Sequence, residues 1–190
     1  MAFRICNRLR QWGHWYHIHQ DWSHIGFDRW REGTAIMSRY PMLHNYSAYV
    51  SKDHRKDNYM SRNITVSCIN VTWFGFLHIA NVHLSWGHHG FYEEYNNLQK
   101  LIQSRFHFGV RGDLMIGEFN SPSGESSYNP IVGNREYVDQ FQELHPYRFY
   151  EPSYQNGNPI KIYSMEVIFN GNFYPIVSDH FGYLAKFQLF

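Results

Sequence analysis

The chain has 190 residues and reads as one domain over 1–190, long enough for a real core and without repeat, linker or composition shift. Hydrophobic residues make up 43% and charged residues 17%, which excludes a disordered chain, and the formal net charge of +1 argues against general affinity for nucleic acid. Aromatic residues reach 19% with few Ala and Leu, a balance that favours strands over long helices.

In chain order, Ile5, Leu9 and Trp12 recur at helical spacing before Gly13, which predicts a short opening helix. Residues 15–19 read as a strand, 26–33 as a polar loop, and 34–38 as a short strand closed by Tyr40-Pro41. A charged loop follows over 51–61. Two consecutive strands, 64–71 and 76–84, are joined by a turn at Trp73-Phe74-Gly75. Tyr95, Leu98, Ile102 and Phe106 give residues 91–106 a helical period. Leu114-Met115-Ile116 is a short buried strand, 121–134 a loop, 135–144 a helix, and 161–169 and 183–189 the last two strands. Strands mixed with a few helices predict a layered α/β (α+β) sandwich.

Cys6 and Cys68 match neither a zinc motif nor a disulfide framework, so a reduced, cytoplasmic protein is expected. Residues 1–20 hold no apolar signal region and no run reaches membrane-spanning length, so no membrane partner is expected. The 13 histidines are scattered and form no H-E-x-x-H pattern, so their number alone does not indicate a metal cluster.

Four segments set polar residues at the ends of apolar strands: Asn81-Val82-His83-Leu84, Gly117-Glu118-Phe119-Asn120, Met165-Glu166-Val167-Ile168-Phe169 and Val177-Ser178-Asp179-His180-Phe181-Gly182. Strand ends along one edge of a sandwich gather such residues into one cleft. Two histidines, three carboxylates and an Asn suit phosphoester hydrolysis: oxygen ligands hold a hard cation, and a His beside a carboxylate moves protons. Each also has a plainer reading: His83 as a satisfied core histidine, Glu118 as a solvated turn residue, Asn120 as a turn former or helix cap, Ser178-Asp179 as a turn cap.

Taken together, the segments resemble the endonuclease/exonuclease/phosphatase superfamily. Residues 33–41 (Gly-Thr-Ala-Ile-Met-Ser-Arg-Tyr-Pro) resemble its G-x-A-I-x-S-R-Y-P strand, Asn81–Leu84 its N-T-H-L, Gly117–Asn120 its G-D-F-N and Glu166–Phe169 its D-Y-I-F, while Ser178–Gly182 matches S-D-H-F-G outright. His24–Asp28, Glu32-Gly33, the loop 51–62 and His83–Trp86 resemble a bacterial subgroup that includes maltose-phosphate phosphatases, with Trp22, Trp30 and Trp86 as an aromatic rim.

The resemblance implies a metal-dependent phosphoester hydrolase acting on a small phosphorylated substrate such as a sugar phosphate. A nuclease of the same superfamily, or a degraded copy that binds a ligand or partner, are the alternatives. It implies Mg²⁺ or Mn²⁺ held by Glu118, Asn120 and Asp179, with Asn120 and Asp179 also orienting the attacking water and phosphate. His180 would be the general base, Glu166 would orient it, and His83 would donate to the phosphate. Arg62 or Arg29 would add positive charge.

Two positions depart from the pattern, since Glu118 and Glu166 stand where the family places Asp. Nothing before residue 24 matches the family's opening strands or its principal metal-binding Glu. The resemblance therefore implies a domain lacking its first strands, about a quarter of the usual length, with impaired turnover and exposed sheet edges open to homo-oligomer pairing.

Overall fold

The structure is a computed structural model that describes residues 1–105, 109–133, 136–145, 154–156 (backbone) and 160–189. It opens with helix α1 (Ala2–Gln11), as the Ile5–Leu9–Trp12 spacing predicts, but that stripe is not its anchor. Ile5 and Trp12 are exposed, and the helix is fixed by the one buried residue, Cys6, whose thiol donates weakly to the Tyr16 carbonyl.

Strand β1 (His17–Gly26) runs well past the expected end at 19 and pairs antiparallel with β2 (Trp30–Ser38). The supposed loop 26–33 shrinks to a tight turn. Phe27 and Asp28 both have positive φ and Arg29 N–H donates to the Gly26 carbonyl, the backbone twist a short hairpin needs. Polar residues hid the strand: Ser23 and His24 are buried and bond to the chain at Asn63 and Ser61.

Strand β3 (Met42–Tyr49), unexpected from its mixed composition, is an edge strand on β4 (Asn63–Val71). The expected hairpin of β4 with β5 (Gly75–His83) is present, in a register from Val71↔Gly75 to Thr65↔Asn81. A short 3-10 turn (Gly87–His89) leads into α2 (Phe91–Ser104), and Phe106 lies outside the described residues. Strand β6 (Val110–Glu118) is longer than the apolar triplet 114–116 and lies parallel to β5, with α2 as the crossover.

The loop over 121–134 contains a single helical turn, α3 (Asn129–Val132). Residues 134–135 lie outside the described set. The helix expected over 135–144 is reduced to α4 (Gln140–Leu144) after a two-residue strand β7 (Val138–Asp139), because Asp139 caps it by accepting from Phe141 and Gln142 N–H. Strand β8 (Tyr154–Asn156) joins β6 and β7. β9 (Ile160–Ile168) and β10 (Gly182–Leu189) close the chain as an antiparallel pair.

These strands make a six-stranded sheet, β3-β4-β5-β6-β8-β7, and two separate two-stranded sheets, β1-β2 and β9-β10. The face toward α2 buries Val66, Val82 and Met115 against Phe91, Tyr95 and Leu98. On the other face Ile36 of β2 and Ile160 of β9 pack on Ile69, Val71 and Leu77. The result is the layered sandwich with flanking helices that the pattern predicts. No helix among the described residues is long and apolar enough to cross a membrane.

Candidate active site

The parallel pairing of β5 and β6 points both strands the same way, so their last residues end at the same edge. The register sets His83 opposite Glu118 and Val82 opposite Gly117. Gly117 has φ +117°, and a Cβ there would fall 2.1 Å from the Val82 carbonyl oxygen, so only glycine allows β6 to lie this close just before Glu118. Past the strand ends Leu84 N–H donates to the Glu118 carbonyl. Asn120, itself left-handed at φ +49°, donates from Nδ2 to the Leu84 carbonyl at 2.8 Å. Its Oδ1 is buried with no hydrogen-bond partner among the described residues.

Glu118 stands between two imidazoles. Its Oε2 is 3.6 Å from His83 Nε2 and its Oε1 is 3.8 Å from His180 Nε2, the latter on the loop joining β9 to β10. Behind them lies a buried chain of polar groups. Glu94 on α2 accepts from the backbone N–H of Ser85 at 2.7 Å and from its hydroxyl at 2.9 Å. Ser85 Oγ accepts from Arg62 Nε at 3.2 Å, and Arg62 Nη1 lies 3.1 Å from His83 Nε2.

A guanidinium only donates, so His83 Nε2 accepts and the ring proton sits on Nδ1. Burial, then Arg62, His24 and His180, push the His83 pKa down to about 3, so the ring is neutral and its approach to Glu118 is not an ion pair. Burial also pushes the Glu94 carboxyl up, against the hydrogen bonds from Ser85 and the charge of Arg62. Burial opposes the charge on Arg62, which Glu94, Glu118 and Glu32 favour. Arg62 is only 8% exposed, yet among the described residues no carboxylate forms an ion pair with it.

Arg62 and His83 form the inner end of a pocket of about 410 Å³ lined further by His24, Ile25, Gly26, Phe27, Asp28, Glu32, Asp57 and Tyr59. Its aromatic groups are Phe27 and Tyr59. None of Trp22, Trp30 and Trp86 lines it, and Arg29 stacks on Trp30 instead of entering it.

The structure therefore brings His83, Glu118 and His180 together, with Asn120 tied to the end of β5 behind them. The other two expected residues, Glu166 and Asp179, form no ion pair or hydrogen bond with His83, Glu118 or His180 among the described residues. Glu166 is exposed on β9 opposite Leu184 and makes no hydrogen bond to His180 among the described residues. An outward position in the β9–β10 register turns this side chain away from the cleft. Asp179 is exposed and accepts from the Ser178 hydroxyl at 3.0 Å, a bond that holds its carboxyl below the usual range.

The donor set does not fit a Mg²⁺ or Mn²⁺ ion as it stands. Among the described residues no three His, Cys, Asp or Glu side chains gather in metal-holding geometry, and of Glu118, Asn120 and Asp179 only Glu118 faces the two histidines. Glu94 and Ser85 were missed in the sequence. The signal was there: Glu94 occupies a position inside the apolar stripe Phe91, Tyr95, Leu98, Ile102, where a carboxylate needs a buried partner.

No protein-family model matches the sequence, and no curated protein matches it. Solved structures do. An endonuclease/exonuclease/phosphatase family protein from Leptotrichia buccalis C-1013-b superposes with a TM-score of 0.83 over 99% of this chain and 78% of its own, at 20% identity. The fold is that of the endonuclease/exonuclease/phosphatase proteins. Within that fold, a mannosyl-6-phosphatase of Bacteroides thetaiotaomicron VPI-5482 matches 80% of this chain and 67% of its own, with a TM-score of 0.62 at 15% identity. A humanized D. rerio TDP2 matches 99% of this chain and 81% of its own, with a TM-score of 0.65 at 15% identity.

Proposed function

We propose that the chain is a phosphoester hydrolase of the endonuclease/exonuclease/phosphatase type, acting on a small phosphorylated substrate. The observation that carries this reading is the buried guanidinium of Arg62, without an ion-pair partner among the described residues, beside His83, Glu118 and His180. Glu94, Glu118 and Glu32 favour its charge without forming an ion pair with it among the described residues, and a phosphate would bond the guanidinium directly in a geometry that suits arginine.

In this reading Arg62 holds the phosphoryl oxygens, and Glu94 acting through Ser85 holds Arg62. His83 keeps the guanidinium in place by accepting from it. His180, half-exposed with Glu118 at its Nε2, takes the proton from the attacking water at Nδ1. Retention of phosphate without turnover is the second reading, favoured because no three metal-ligating His, Cys, Asp or Glu side chains gather among the described residues.

The test is hydrolysis of p-nitrophenyl phosphate and bis-p-nitrophenyl phosphate by the purified chain, with and without Mg²⁺ or Mn²⁺. Turnover of the monoester is expected to fall about 10²–10⁴-fold in His180→Ala. Absence of turnover with retained phosphate binding selects the second reading, and absence of both rejects the two together.

A further inference from the structure

We propose that helix α1 and the turn after it form a docking surface for an anionic lipid membrane, at the end of the molecule away from the phosphate pocket. The feature is independent of the phosphoester reading. Cys6 is the only buried residue of the helix. Ile5 and the C-cap residue Trp12, seven positions apart and so on one face, project into solvent, and Trp15 does the same just past the turn at Gly13. Trp12 is 62% and Trp15 68% exposed. An indole ring has an apolar body and one N–H donor, the combination that settles at the boundary between acyl chains and headgroups.

Charge decides the partner. The chain as a whole is nearly neutral at +1, yet its first 20 residues hold Arg4, Arg8 and Arg10 and no Asp or Glu. Arg4 and Arg8, one turn apart, flank the Ile5–Trp12 stripe. The Arg8 guanidinium lies over the Trp12 ring at 5.0 Å and that of Arg10 over the Trp15 ring at 4.9 Å. None of the three forms an ion pair among the described residues. Arginine stems laid along aromatic rings keep their charged heads at headgroup level. A nucleic acid would meet the arginines and leave Ile5 in water, whereas an anionic lipid surface takes up both the charge and the apolar stripe.

A helix lying in the interface needs neither a spanning run nor a signal region, so the sequence features that spoke against a membrane do not bear on it. Strand β1 leaves α1 at His17 and reaches the pocket at His24 and Gly26, about 30 Å along the strand. A chain docked through α1 therefore keeps its pocket open to solvent.

The test is co-sedimentation of the full chain with vesicles of phosphatidylcholine alone and of phosphatidylcholine mixed with phosphatidylserine. Binding to the mixed vesicles is expected to be about tenfold or more tighter, and to be lost at about 1 M salt, where charges are screened within ~3 Å. Arg4→Gln with Arg8→Gln is expected to weaken it about 10–30-fold. Ile5→Ser with Trp12→Ser is expected to weaken it about tenfold or more. All four positions are exposed, and circular dichroism checks that the variants are folded. Trp15→Ser, outside the helix, repeats the test without touching α1. Lys100→Gln, which removes an exposed charge from α2, is expected to change nothing.

Equal binding to the two kinds of vesicle, or no binding to either, overturns the inference, as does binding that survives both double substitutions. A single-stranded oligonucleotide that displaces the vesicles would overturn it in favour of nucleic acid. A dimer in solution that Ile5→Ser with Trp12→Ser dissociates would overturn it in favour of a second copy of the chain.

Discussion

The six-stranded sheet and the two hairpins laid over it are built to different tolerances. Strand β4 is buried at eight of its nine positions, while β10 has no fully buried position at all. The first layer is closed on one face by α2 and on the other by the hairpins. The second is divided, because β1-β2 and β9-β10 do not pair with one another. The site straddles this difference. Arg62, His83, Glu118 and Asn120 come from the closed layer and its strand ends, whereas Asp179 and His180 come from the exposed loop of the open one. In the proposed reading, the half that would hold the anion therefore stands on the buried layer, and the half that would move the proton on the less buried β9-β10 pair.

The largest test of this contrast is thermodynamic. Phe91→Ala, in the interface of α2 with the large sheet, is expected to cost about 3–5 kcal/mol by urea denaturation. Phe187→Ala on half-buried β10 is expected to cost less than about half of that. Equal losses would show that both layers are equally well packed, and the comparison would fail.

A smaller effect sharpens the division within the site. Arg62→Ala is expected to weaken inorganic phosphate binding about 10–100-fold, the value of a charged hydrogen-bonded pair. Arg62→Lys should fall between the two, because lysine keeps the charge but cannot bridge Ser85 and His83 at once. Unchanged phosphate binding in Arg62→Ala would move the anion site elsewhere.

The smallest concerns pH. The His83 pKa is near 6.5 unfolded and pushed down to about 3 in the fold, so the unfolded chain takes up the proton first. Stability from this group is full above about pH 6.5 and is lost as pH falls toward 3. The side chain is one-third exposed, so water screens much of the effect. About 1 kcal/mol should remain, or ~2–4 °C in Tm. His83→Gln should flatten that part of the Tm-against-pH curve.

The sequence was most legible where apolar runs end in polar residues. The β4–β5 hairpin, α2 and the neighbourhood of His83, Glu118 and His180 all follow from that pattern. It was least legible where polar residues are buried inside strands. Ser23 and His24 disguise the end of β1, and the mixed composition of residues 42–49 disguises β3. The pairing of Glu166 with His180 failed as an expectation because a motif match specifies a place on a strand, not which face its side chain takes. Arg62 emerged as central only once the fold brought Ser85 and Glu94 beside it, two residues that are nine positions apart on the chain and share no motif.

The parallel step from β5 to β6 also bears on the order in which the molecule assembles. The β4–β5 hairpin needs only a three-residue connection and its contacts are local. The β5–β6 pair cannot form until the whole intervening segment, α2 included, has been folded back, and such distant pairings are slow. Since His83 meets Glu118 through that pair, the site comes into being late in folding, after much of the β4–β5 hairpin already exists. In a refolding experiment, phosphate protection should therefore appear in a slower phase than the amide protection of β4.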